Sequence, residues 1–137
     1  MNTVADVLCW LAALLQFAFA GLEMFKWRGM AVKVFKFSPE AANTSASIAA
    51  QIAAYNAALA MGLVLGQLSQ DALMKFSFLA FMLCAASFGA SSVKWTLLVS
   101  QGLVPALALL LLGSSGESHC GLDNDGKLPC YGALLVA

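Results

Sequence analysis

Four apolar blocks, each close to the length that crosses a lipid bilayer, occupy most of this chain. They cover residues 4–22, 48–68, 73–90 and 95–113. A hydrocarbon core about 30 Å thick needs roughly 20 mostly apolar residues per helix, with about 17 as a practical minimum. The third block reaches this length if Lys75 extends its aliphatic stem along apolar surface and keeps its ammonium in water. We therefore expect an all-α protein with four transmembrane helices in one domain, residues 1–113, and an extramembrane tail, residues 114–137.

The composition separates the chain from soluble proteins. Hydrophobic residues make up 61% of the 137 residues and charged residues only 10%, whereas a soluble domain carries about 25% charged residues. The formal net charge is zero and no basic run is present, so we expect no nucleic-acid partner. The first block lacks the basic residues that precede a secretion signal, which favours a retained helix over a cleaved signal peptide.

The Lys and Arg residues between the blocks predict an orientation. Four of them precede the second block and Lys94 precedes the fourth, while Lys75 and Lys127 lie on the other side of a four-span protein. Positive charge marks the cytoplasmic side of membrane proteins. We expect both termini on the lumenal or periplasmic side of a thylakoid, inner mitochondrial or bacterial inner membrane.

Two cysteines in the tail, Cys120 and Cys130, bracket a short polar stretch. In an oxidising compartment a disulfide between them is expected, and two free thiols or half of a metal site are the alternatives. A calcium loop is not expected, because Gly121 and Gly132 stand where its end ligands would be. With only His119 nearby, a zinc site lacks a fourth donor, so we predict no metal.

The segment between the first two blocks, residues 24–37, mixes aromatic and aliphatic residues with four cations. Such a segment suits the headgroup layer of a membrane. We expect a connector on the membrane surface, and recognition of a lipid or protein partner is the alternative. The predicted interface residues are Lys26, Trp27, Arg28, Lys33 and Lys36.

The second block carries small residues at every fourth position. Close backbone approach along small residues drives helix packing in lipid, so we predict that this strip packs against a neighbouring helix. Its members are Ala46, Ala50, Ala54, Ala58, Gly62 and Gly66.

Polar side chains accompany this strip, namely Gln51, Tyr55 and Asn56, and Gln101 stands in the fourth block. Polar groups at membrane depth normally face the bundle interior. They could bind a pigment, a quinone or another small ligand. Hydrogen bonding between helices, worth about 0.6 kcal/mol per bond in membrane proteins, is the interpretation we prefer. We predict no cofactor, although bound lipid or pigment stays open.

Residues for catalysis or proton transfer are sparse. No histidine lies in a block, which excludes a haem held by two histidines within the membrane. Asp6 and Glu23 lie near opposite ends of the first helix, so no carboxylate pair forms at membrane depth. We therefore expect a protein that is not an enzyme.

Several short motifs occur in and between the blocks. They are Glu23-Met24-Phe25 with Trp27, Val34-Phe35 with Ser38-Pro39-Glu40, Tyr55-Asn56, Leu59-Ala60 and Gly62-Leu63, and Gln101-Gly102-Leu103 with Pro105-Ala106. These motifs resemble those of the domain-of-unknown-function 1304 family, whose members are small four-helix membrane proteins. The chain departs from the family pattern at Val104, an extra residue within the fourth-helix motif, and at Gln51, which is one place out from the family's glutamine. The resemblance implies the four-helix fold and no particular activity.

Two function classes follow from these observations. The first is a structural or accessory subunit of a larger membrane complex, such as a photosynthetic or respiratory one, with lipids and other membrane subunits as partners. The alternative is a stand-alone binder or transporter of small molecules that uses Gln51, Tyr55, Asn56 and Gln101.

Overall fold

The computed structural model describes residues 3–92, 95–96 and 98–116. All regular structure in these ranges is helical, which confirms the all-α class. The tail beyond residue 116, with the predicted Cys120–Cys130 disulfide, lies outside the described residues, as do Lys94 and Lys127. The elements are α1 (Thr3–Lys33), α2 (Pro39–Thr44), α3 (Ala46–Leu68), α4 (Ala72–Ser92), a π-helical turn (Leu98–Gly102) and α5 (Leu103–Gly116).

Three of these helices, α1, α3 and α4, are long and apolar enough to cross a membrane, with mean hydropathies of 1.8, 1.7 and 1.7 over their most apolar stretches. The fourth apolar helix, Leu98–Ser114, is shorter. These lengths are consistent with a membrane protein.

Helices α1, α3, α4 and α5 form a bundle. The first and last of them in the chain, α1 and α5, also contact each other. The main contacts are α1 with α3, α3 with α4, α4 with α5, and α5 with α1. Asp6 near the beginning of α1 contacts Gln67 near the end of α3, and Trp27 near the end of α1 contacts Ser45 just before α3. Consecutive long helices α1 and α3 therefore run antiparallel.

The contact between α1 and α3 is a seam of mostly small residues. The seam positions on α3 alternate between spacings of four and three residues, and those on α1 are spaced by four, three, four and four. This 3.5-residue repeat is typical of helices that pack side by side at a small crossing angle, and the small side chains let the two backbones approach closely. The seam residues are Ala5, Cys9, Ala12, Gln16 and Ala20 on α1, and Ala49, Ala53, Asn56, Ala60, Leu63 and Gln67 on α3.

The predicted strip at every fourth residue does not coincide with this seam. Gly62 and Gly66 are buried against α4, but Ala54 and Ala58 are exposed, and the first two alanines, Ala46 and Ala50, are half-buried. At 3.6 residues per turn, each step of four residues advances about 40° beyond a full turn. Six such residues therefore wind around α3 and cannot all contact one neighbouring helix.

Most of the predicted surface connector is helical. Residues 24–33 continue α1, because this stretch contains no proline and a single glycine, Gly29, which costs about 1 kcal/mol. The helix ends at Lys33, and Lys36 adopts a left-handed backbone conformation with φ 61°. Ser38 then caps the N-terminus of α2, where its Oγ accepts a hydrogen bond from the Ala41 amide at 3.1 Å.

The predicted fourth span, residues 95–113, contains the π-helical turn, which precedes Pro105 in α5. A π turn holds one more residue than an α turn, so it accommodates an extra residue, such as Val104, without rotating the rest of the helix. Gly102 lies in this turn against α4, where an added Cβ would be 3.3 Å from the Cβ of Ala86. The turn thus keeps α4 and the fourth span in close contact.

Candidate functional site

A chain of hydrogen bonds inside the bundle connects α3 to two positions on α1. The Gln16 amide donates from Nε2 to Oδ1 of Asn56 at 3.3 Å, and Asn56 donates from Nδ2 to Oε2 of Glu23 at 2.7 Å. Gln16 is 3% exposed and Asn56 is 7% exposed. The hydrogen bonds therefore run in one direction, from Gln16 through Asn56 to the carboxylate of Glu23.

The helix geometry explains why these three residues meet. Gln16 and Glu23 are separated by two turns of α1, so they lie on one face of that helix. Asn56 occupies the buried seam of α3 opposite them. Buried side-chain amides need hydrogen-bond partners, and the facing positions of the two helices supply them to Gln16 and Asn56.

Glu23 also lines an open cavity of about 430 Å³, formed by residues 23–29 and Ala46. The cavity contains two exposed cations, Lys26 and Arg28, and the half-buried ring of Trp27. Among the described residues, Glu23 has one hydrogen-bond partner, Asn56, and forms no ion pair within 4.0 Å. The cavity thus carries both signs of charge.

The indole of Trp27 is held in place from two directions. Its Nε1 donates to Oγ of Ser45 at 3.0 Å. Its ring packs against Phe35 and Phe37, with centroid separations of 5.9 and 6.3 Å. The turn after α1 therefore folds back and fixes one wall of the cavity.

A second polar cluster lies at the opposite end of α1. Lys75 forms an ion pair with Asp6, with 3.2 Å between Nζ and Oδ1. Gln67 donates from Nε2 to the same oxygen at 3.0 Å. Oε1 of Gln67 is buried and has no hydrogen-bond partner within the described part of the chain. This cluster joins the ends of three helices, α1, α3 and α4.

Apolar side chains separate the two polar clusters. Between them lies the core, in which no side chain carries a formal charge. It consists of Cys9, Ala12, Ala13, Leu63, Leu79, Met82 and Ala108. The described residues also contain no group of three or more His, Cys, Asp and Glu side chains that could hold a metal ion.

The four residues predicted from sequence to form a binding site are not brought together. Gln51 donates from Nε2 to the hydroxyl of Tyr55 at 2.9 Å, and both side chains are exposed on the outer face of α3. Asn56 alone points into the bundle. Gln101 lies in the π turn, which contacts α4, α5 and α1 and, as far as the chain is described, makes no contact with α3.

Two members of the buried chain, Gln16 and Glu23, are missing from the predicted site. Their separation of seven residues on one helix was the available signal, since it places both on one face. Glu23 was also a rare carboxylate beside an apolar block, and such groups mark functional positions by default.

The five predicted interface residues lie together at this end of the bundle. Lys26 and Arg28 line the cavity with Trp27, while Lys33 and Lys36 are exposed at the end of α1 and in the following turn. Within the described part of the chain, the exposed cations therefore lie at one end of the bundle.

Comparison with known proteins supports the family resemblance. Residues 10–113 match the family model described as protein of unknown function (DUF1304). The chain therefore belongs to the DUF1304 family, as its motifs indicate. No curated protein and no solved structure matched the sequence.

Proposed function

We propose that this member of the DUF1304 family is a non-catalytic integral membrane protein of four spans that serves as a structural or accessory subunit of a larger membrane complex. The observation that supports this function is the outer face of α3. The first half of this face, from Ser47 to Ala58, presents polar and small side chains where an isolated bundle would meet lipid.

The face is regular. Its exposed residues alternate between spacings of four and three, the repeat that also forms the α1–α3 seam on the opposite side of the same helix. They are Ser47, Gln51, Ala54, Ala58, Met61, Leu65 and Leu68. Small residues at such positions favour close helix–helix contact in lipid.

The hydrogen-bonded pair Gln51–Tyr55 gives this face a polar centre. Tyr55 is 60% exposed and lies about 14 Å along the axis from Ala46, the first residue of α3. Polar side chains at membrane depth normally face protein. A transmembrane helix of another subunit would cover the pair and contact Ala54 and Ala58.

Site-specific cross-linking in native membranes tests the proposed subunit role. A photoreactive amino acid at Ala54 should give a discrete protein adduct, whereas the same group at exposed Phe88 on α4 should not. Replacing Gln51 by Leu together with Tyr55 by Phe should weaken the adduct and leave the isolated chain folded. Cross-linking to lipid only at both positions, with extraction as an isolated chain, would contradict the proposal.

The proposed orientation places both termini on the lumenal or periplasmic side of an organellar or bacterial inner membrane. The ion pair supports it, because Asp6 neutralises Lys75 while the cations of residues 26–36 are exposed at the other end. Cysteines introduced at Lys33 and at Gln70 should be labelled from opposite sides by a membrane-impermeant thiol reagent. Labelling of the Lys33 position from the lumenal or periplasmic side would reverse the orientation.

A further inference from the structure

The cavity beside Glu23 has a charge pattern that the subunit role does not use. Its carboxylate is fixed by Asn56 and has no cationic partner among the described residues. Lys26 and Arg28 border the same cavity and are exposed. A carboxylate held partly out of water is costly unless a cation or further hydrogen-bond donors approach it.

We propose that this cavity binds the phosphoethanolamine group of a zwitterionic phospholipid. Glu23 accepts hydrogen bonds from the ammonium group, and Lys26, which lies three residues further along the same helix and therefore next to Glu23, binds the phosphate. The indole of Trp27 packs beside the ammonium as an aromatic wall.

The combination of charges selects this ligand class. A purely anionic headgroup would bind Lys26 but would be repelled by Glu23. A choline headgroup carries a positive charge but has no N–H to donate to a carboxylate. Phosphoethanolamine has an ammonium with three N–H donors next to a phosphate, and charge-assisted hydrogen bonds of this type are the stronger ones.

Position and size agree with a lipid headgroup. Glu23 directly follows the apolar block 4–22, which is where a headgroup would lie if that block spans the hydrocarbon core. The volume of about 430 Å³ is within the range of roughly 300–1,000 Å³ that is usual for small-ligand sites. The cavity is open, so an acyl chain can extend from it along the outside of the bundle.

The buried amides prepare the carboxylate for this role. Gln16 holds Asn56, and Asn56 donates to one oxygen of Glu23, so the side chain is oriented before the ligand arrives. Both amides are more than nine-tenths buried, which makes them a fixed support. Preorganisation of this kind reduces the entropy lost on binding.

Lipid binding to the full-length protein tests the proposal. The protein, purified in detergent, receives dioleoyl phosphatidylethanolamine, phosphatidylcholine or phosphatidylglycerol, and bound lipid is counted by native mass spectrometry. One charge-assisted hydrogen bond corresponds to about a tenfold preference for ethanolamine over choline. The Glu23→Gln variant, which keeps the size of the side chain, should lose that preference.

Exposed cations provide variants that should not disturb folding. Lys26→Gln should weaken binding of all three lipids, because each contains a phosphate, and should keep the ratio of ethanolamine to choline. Lys33→Gln is the matched control, since Lys33 is exposed on the same helix but does not line the cavity. It should bind all three lipids like the parent protein.

Two results would overturn the site. One is equal binding of ethanolamine and choline lipids by the parent protein, and the other is a preference that survives in Glu23→Gln. Soluble glycerophosphoethanolamine distinguishes the two sources of this chemistry. If it competes with the lipid, the headgroup alone is recognised and a soluble ligand shares the site. If only the lipid binds, the acyl chains contribute and the ligand is a membrane lipid.

Discussion

Replacing Gly62 by alanine tests the close contact between α3 and α4. Gly62 is buried, and a Cβ there would overlap the ring of Phe78. Overpacking a tight contact costs roughly 1–3 kcal/mol, whereas alanine in place of glycine inside a helix gains about 0.5–1 kcal/mol. We therefore expect Gly62→Ala to lower the free energy of unfolding by about 1–2 kcal/mol.

Gly21 on α1 provides the matched control, because no atom lies within 4 Å of a Cβ built there. Gly21→Ala should raise the free energy of unfolding by up to about 1 kcal/mol. The assay is unfolding in mixed micelles of increasing dodecyl sulfate content, followed by circular dichroism. Phe78→Leu should recover part of the loss in the Gly62→Ala protein, which a double-mutant cycle measures. If both glycine variants are at least as stable as the parent, the predicted overlap does not limit the approach of α3 and α4.

Two further predictions concern the ends of the bundle. Lys75→Met leaves the carboxylate of Asp6 without its cation, and we expect a loss of about 2 kcal/mol of unfolding free energy, less than for a fully buried pair because Asp6 is partly exposed. Adding Asp6→Asn should restore most of it, and a double mutant less stable than Lys75→Met would contradict the ion-pair argument. Trp27→Phe removes the hydrogen bond to Ser45 and keeps the ring contacts, so it should cost about 1 kcal/mol in the same assay. Combining it with Ser45→Ala should add less than the two single effects summed.

The helices were predictable from sequence, but their ends and faces were only partly so. Each apolar helix carries apolar residues on all its faces, because lipid and the protein interior are both apolar. The periodicity of the sequence therefore does not reveal which face is inside. The spacing of four in α3 was the more conspicuous pattern, yet the seam uses alternating spacings of four and three. The polar residues Asn56 and Gln67 lie in that seam, and they were the better guide to the inner face.

The residues of the candidate site were also only partly predictable from the sequence. Tyr55 and Asn56 are adjacent in sequence, but successive residues of a helix point about 100° apart. One therefore belongs to the outer face and the other to the inner face. The partner of Asn56 is Glu23, 33 positions away, and only the antiparallel packing of α1 and α3 brings the two together. The cavity depends in addition on the turn after α1, whose fold no local pattern predicted.

The separation of the two polar clusters bears on what the bundle can do. Asp6 and Gln16 are ten residues apart on α1, a distance of about 15 Å along the axis. The intervening space is filled by Cys9, Ala12 and Leu63, which are buried. A polar solute that crossed the described bundle would have to displace this core, because the hydrogen-bonded groups at the two ends do not meet. Binding at the surfaces of the bundle requires no such displacement. A partner helix on the outer face of α3 and a headgroup in the cavity at Glu23 would both leave the core intact.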